Sequence, residues 1–181
     1  MNAPRRLRQA GFTLVELMIV VVLVAILLAL AAPSFRGMLA RNKLEGVATE
    51  LATDFQYARS EAVARNAQVG LFVGSNCYTV FVVNGTAPNS ACAHASPIKL
   101  VPIDASSSVS LAFLSTAATT QAYIQFDPVR GMAADVNGAD WQGQVTVTTS
   151  VGAWDLRAAV SNTGRVRTCS PSGNFTGYTA C

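Results

Sequence analysis

Apolar positions along this chain change period twice, and each change marks a different element. From Leu17 to Ala32 every residue is apolar. With Phe12, Leu14 and Val15 ahead of it, the stretch reaches about 20 residues, enough to cross a hydrocarbon core as a helix. After Pro33 the run gives way to spacings of three and four, at Leu44, Val47, Leu51, Phe55, Ala58 and Ala62. That recurrence predicts one buried stripe on a helix, with Lys43, Glu45, Glu50, Asp54, Arg59 and Glu61 opposite it. Glu61 and Arg65 stand at i,i+4 in the favourable order. A helix is therefore predicted from about Thr13 to Asn66, about 80 Å long if continuous. Pro33 removes one backbone donor and is expected to bend it.

Beyond Asn66 the pattern becomes that of strands. Residues 69–73, 78–83, 98–103, 109–114, 123–126 and 144–149 are strand candidates, several of them rich in β-branched and aromatic residues, with Gly, Pro, Asn and Ser between them. Asn84-Gly85 and Asn137-Gly138 read as turns. Trp154, Leu156, Ala158 and Val160 alternate with Asp155, Arg157, Ala159 and Ser161, the period of a half-buried strand. With no second helix of any length, the fold class is α+β, a long N-terminal helix on an antiparallel, β-sandwich-like head.

Loop length sets the register around Asn162-Thr163-Gly164. A two-residue loop puts Val160 opposite Arg165 and mixes the faces. A three-residue loop, with Gly164 left-handed, puts Val160 opposite Val166 and Ser161 opposite Arg165. Only the second keeps apolar with apolar, and it gathers Arg157, Arg165 and Arg167 on the outer face. Arginines two apart on a strand lie roughly 6–7 Å from each other. Each forked guanidinium can then engage a separate phosphate.

Charge refines this picture. The chain carries 13 Lys and Arg against 10 Asp and Glu. Arg5, Arg6 and Arg8 precede the apolar block as a cytoplasmic anchor, so the remainder is balanced and anion affinity has to come from a local patch. Four cysteines, Cys77, Cys92, Cys169 and Cys181, lie beyond the apolar block, and an even number in an exported domain points to disulfides. Of three possible connectivities, Cys77–Cys92 with Cys169–Cys181 closes two short loops and is favoured by loop-closure entropy.

A basic segment, an apolar run and Ala29-Leu30-Ala31 also fit an ordinary secretory signal. Against it, Glu16 places a carboxylate at the mouth of the apolar block, which lipid penalises by several kcal/mol, on the order of the cost of a central charge. Gly11-Phe12-Thr13-Leu14-Val15-Glu16-Leu17 resembles the leader junction of type IV pilins and type II secretion pseudopilins. The resemblance implies cleavage after Gly11 by a prepilin peptidase, N-methylation of Phe12, and a type IV pilin fold. It implies a cleaved leader over residues 1–11, a membrane and filament-core half-helix over 12–37, and an amphipathic half-helix with globular head over 38–181. The chain would sit in the bacterial inner membrane with its head in the periplasm, then enter a filament with other pilins. Glu16 would pair there with the Phe12 amine of a neighbouring subunit, which offsets its burial.

The head narrows the resemblance. Ala58-Arg59-Ser60-Glu61-Ala62, Ile124-Gln125-Phe126-Asp127 leading to Gly131, and Gly164-Arg165-Val166-Arg167 are similar to the GspH/FimT family, whose members are minor pilins or pseudopilins. In the FimT branch the Gly-Arg-x-Arg motif is associated with DNA binding in natural transformation. That implies a DNA-binding role for Gly164, Arg165 and Arg167, to which the stripe adds Arg157, with Phe175 and Tyr178 as candidate stacking rings. The structural alternative stands beside it: charges on an edge strand also deter unwanted pairing, and the same motif serves relatives that only build filaments. His94 is the single histidine, residues 135–140 lack ligands a calcium loop needs, and no nucleophile with its base is present. No enzyme activity, metal or cofactor is expected.

Overall fold

A computed structural model of the chain describes residues 11–84, 97–115, 123–135, 138, 143–152 and 154–181. The chain separates into two compact units, Met1–Arg36 and Gly37–Cys181. One helix, α1 (Leu14–Arg65), contributes to both, and the helical backbone runs on through Pro33. Thr13 opens it: its Oγ1 accepts the Glu16 backbone N–H at 3.2 Å, satisfying one of the orphan donors of the first turn. In the first unit the large apolar side chains from Leu14 to Leu30 are exposed. Among the described residues α1 alone is long and apolar enough to cross a membrane.

In the second unit α1 buries Ala40, Leu44, Ala48, Leu51, Phe55, Ala58 and Ala62, with Val47 half-buried against them. Glu61 and Arg65 pair at 2.6 Å. One polar position departs from the expected face. Asp54 is 4% exposed, because long side chains from two strands reach its carboxylate. The Tyr78 hydroxyl donates to it at 2.7 Å, and Lys99 Nζ donates to both of its oxygens at 2.8 and 2.7 Å. Burial, and then the hydrogen bond to Asp54, push the Tyr78 phenol far above its ordinary range. The same carboxylate, through its hydrogen bond, raises Lys99. Helical periodicity reports only the angle of a residue around its axis, not what arrives there from elsewhere.

The head is made of β1 (Val69–Val73), β2 (Cys77–Val82), β3 (Pro97–Pro102), β4 (Val109–Ser115), β5 (Tyr123–Phe126), β6 (Ala133–Ala134), β7 (Gly143–Thr149), β8 (Asp155–Val160) and β9 (Val166–Cys169). They form two sheets, β3-β2-β1-β5-β6 and β4-β7-β8-β9, with antiparallel neighbours throughout. The expected strands are present with ends displaced by a residue or two; β6, too short to carry a period, was not expected. One core joins both sheets to the helix: Leu51 and Phe55 of α1, Leu71 and Val80 of β1 and β2, Val147 and Leu156 of β7 and β8. Each such side chain contributes roughly 1.5–3 kcal/mol on leaving water. This shared core holds the hairpin β8–β9 at the end of the second sheet.

Candidate functional site

The hairpin adopts the register that kept apolar residues together. Val160 lies opposite Val166, Ala159 opposite Arg167 and Arg157 opposite Cys169. Ser161 N donates to Arg165 O at 3.0 Å, and Gly164 N to Ser161 O at 2.9 Å. Arg165 N donates to Ser161 Oγ at 3.2 Å. Gly164 closes the loop at φ +73°, in the left-handed region. Leu156, Ala158 and Val160 are buried on the inner face. Arg165 and Arg167 are exposed and Arg157 is half-buried.

The three arginines line one depression of about 860 Å³, and Thr179, Ala180 and Cys181 line it with them. The final segment is fixed there by the Cys169–Cys181 disulfide. Ser170 N donates to Thr179 O at 2.9 Å and Cys181 N to Ser170 O at 3.3 Å, extending the sheet by a bridge. Cys77 is also disulfide-bonded; Cys92, its expected partner, lies outside the described residues, as do His94, Gly85 and Asn137. Gly138 N donates to Asp135 O at 3.0 Å, in the turn expected there. Arg157 Nε donates to Thr146 Oγ1 at 3.4 Å. Among the described residues no carboxylate lies within ion-pair distance of Arg157, Arg165 or Arg167, and no cluster of metal ligands occurs.

Two expectations for this region need correction. The resemblance implies a DNA-binding role for Gly164, but the residue is buried and does not line the depression. A Cβ there would meet Gly131 O at 2.6 Å and Arg59 Cδ and Nε at 3.2 Å. The turn is pressed inward against another turn and the helix, leaving no space for a ligand at Gly164 itself. Phe175, a candidate stacking ring, is 1% exposed. It packs edge-on against Tyr178 with centroids 5.4 Å apart, and Arg41 lies 4.6 Å over its ring. Tyr178 in turn donates to Glu45 Oε1 at 3.2 Å. These rings anchor the C-terminal segment to the helix.

Sequence reasoning overlooked Arg59 as a member of this region. It was placed on the polar face of α1, whereas its stem and Nε fit beside the two glycine turns at Gly131 and Gly164. The three separate motifs that carried the family resemblance thus meet at one point. Residues 47–164 match the family described as Type II transport protein GspH, and residues 6–32 match the prokaryotic N-terminal methylation motif.

The chain belongs to the GspH family.

As a GspH-family chain with a methylation motif it is a pilin-like subunit. Pilin-like protein PilA1 of Thermus thermophilus is 43% identical over 77 residues, 40% of this chain. The match spans 47% of that relative, about half its length. The GspH-family head and helix share their fold with the type IV minor pilin FimU of Pseudomonas aeruginosa, at TM-score 0.50 and 18% identity over 70% of this chain and 88% of that one. The minor pseudopilin EpsH from the Type 2 Secretion System of Vibrio cholerae is similar at TM-score 0.49 and 11% identity, over 70% of this chain and 96% of that one.

Proposed function

We propose that this GspH-family chain is a minor pilin of a type IV pilus that also binds DNA through its backbone phosphates. The observation that carries the DNA reading is the set of three arginines, Arg157, Arg165 and Arg167, lining one open depression without a carboxylate partner among the described residues. Unpaired guanidinia beside solvent keep their full capacity for charge-assisted bonds to phosphate oxygens. Nothing in such contacts reads base identity, so binding is sequence-independent.

Assembly rests on the N-terminus. A prepilin peptidase cleaves after Gly11 and methylates Phe12, and the half-helix following it holds the subunit in the inner membrane with its head in the periplasm. In the filament Glu16 meets the Phe12 amine of a neighbouring pilin, and its charge selects subunits in register. The family description, Type II transport protein GspH, favours a second reading: a minor pseudopilin, or a purely structural minor pilin, that initiates or caps a filament and binds no ligand.

The test uses the full chain in nanodiscs of zwitterionic lipid, titrated with short fluorescent duplex DNA at about 50 and 200 mM salt. Three phosphate contacts give a slope of log K against log salt of about −2 to −3. Arg165→Gln/Arg167→Gln is expected to lose most of that binding. Equal binding by wild type and variant eliminates the arginine site, and no binding by the wild type favours the structural reading.

A further inference from the structure

Gly131 and Gly164 belong to different sheets, yet their turns touch. A Cβ on Gly131 would meet Arg59 Nε at 2.7 Å, and one on Gly164 would meet Gly131 O at 2.6 Å. Ala133 N donates to Asn162 O at 2.7 Å beside the contact, joining the two sheets across it. Both glycines take positive φ, +62° and +73°. The side chain of Arg59 packs against both glycines, and its Nε and Cζ are thereby brought to the seam between the turns.

Three arginines stand around that seam, with one carboxylate, Asp127, on the turn itself. Arg130 immediately precedes Gly131 and Arg165 immediately follows Gly164, so each stands about 3.8 Å along the chain from the contact. Arg130 and Arg165 are exposed and Arg59 is half-buried. None of the three side chains has a hydrogen-bond or ion-pair partner among the described residues. The carboxylate on the same turn, Asp127, is occupied through Oδ1, which accepts the backbone N–H groups of Val129 and Arg130 at 2.9 and 2.7 Å. Glu61, two residues beyond Arg59 on the helix, is paired with Arg65. Arg59, packed against the two glycines with its donors unused, differs in this from Asp54, Glu61 and Arg65 of the same helix, which find partners in the head or on the helix.

We infer that Arg59, Arg130 and Arg165 form a second phosphodiester-binding site at the Gly131–Gly164 seam, continuous through Arg165 with the depression that Arg157 and Arg167 line. The inference rests on the DNA-binding reading above and extends it. Arg165 serves both sites, so a nucleic-acid strand leaving the depression passes directly to the seam. Arg59 supplies a guanidinium packed between the turns, and Arg130 an exposed one on a turn held by Asp127. A fixed donor loses little side-chain freedom when it binds. The track then runs over both sheets, and the number of phosphates engaged rises from three to five.

The experiment uses the full chain in zwitterionic nanodiscs and fluorescent single-stranded DNA, with Arg130→Gln, Arg59→Gln and Arg59→Lys. Each Gln variant is expected to weaken binding roughly five- to tenfold near 0.1 M salt and to reduce the salt slope by about 0.7. Arg59→Lys keeps the slope, because its charge remains. Arg130 is exposed, so its variant reads binding without a folding change. Wild-type binding by both Gln variants, alongside loss in Arg165→Gln/Arg167→Gln, overturns this site and leaves the first intact. No binding by the wild-type chain overturns both. Displacement of DNA by millimolar inorganic phosphate at constant ionic strength reassigns the seam to a free anion and also overturns the inference.

Discussion

A methyl group at Gly164 would lie 2.6 Å from the carbonyl oxygen of Gly131, on a backbone held at φ +73°. Both penalties act together, one conformational and one steric. Gly164→Ala is therefore expected to cost roughly 2 kcal/mol or more, read as a lower urea midpoint with an unchanged m-value. A change within about 0.5 kcal/mol would mean that the turn is free to move. Asp54 poses a different residue-scale problem, since its carboxylate holds a buried phenol and a lysine at once. In the folded chain Tyr78 and Lys99 keep their protons above their ordinary values of 10.0 and 10.5. The unfolded chain releases them first, so stability falls as pH rises past about 10 and is unaffected by these groups below it. Urea midpoints measured at pH 9 and 11 check the sign, and Tyr78→Phe should show a smaller drop between them. Neither residue was visible as a partner of Asp54 in the sequence, because the alternation of β2 and β3 says which face a side chain takes, not which helix residue it meets.

At the scale of elements, the C-terminal segment after β9 depends on its cross-link. The Cys169–Cys181 disulfide closes a separation of 12 residues. Its removal in Cys169→Ser/Cys181→Ser is expected to cost about 2–3 kcal/mol. Hydrogen exchange at Ser170 and Cys181, whose amides close the bridge, should accelerate in that variant; unchanged protection would show that Phe175 alone holds the segment. The hairpin β8–β9 was fully legible, since alternation and a three-residue loop leave one register that separates Val166 from Arg165 and Arg167. The long helix was legible from its apolar stripe. The two-residue β6 was not, and neither was the burial of Phe175, which sits in a segment without any repeating pattern. Arg59 was misread for a third reason: it borders the buried stripe through Ala58, and what makes room for it are two glycines far away in sequence.

For the molecule as a whole, the proposed function assigns the charge at Glu16 and the patch around Arg165 to separate steps, which should then separate genetically. Glu16→Gln is expected to leave membrane fractionation intact while lowering recovery in sheared filaments by more than about tenfold, the size expected when a desolvated ion pair loses one partner. Immunoblots of membrane and filament fractions measure it; normal incorporation would remove the glutamate from assembly. Mass spectrometry of the same membrane fraction should give a chain starting at methylated Phe12. The seam between Gly131 and Gly164 bears on how this protein is dissected in the laboratory. A synthetic peptide covering residues 155–169 would keep every arginine of the hairpin, yet it would be deprived of the floor on which its bend rests. Such a miniature would have the right letters in the wrong posture, and its failure to capture a ligand would say nothing about the intact subunit.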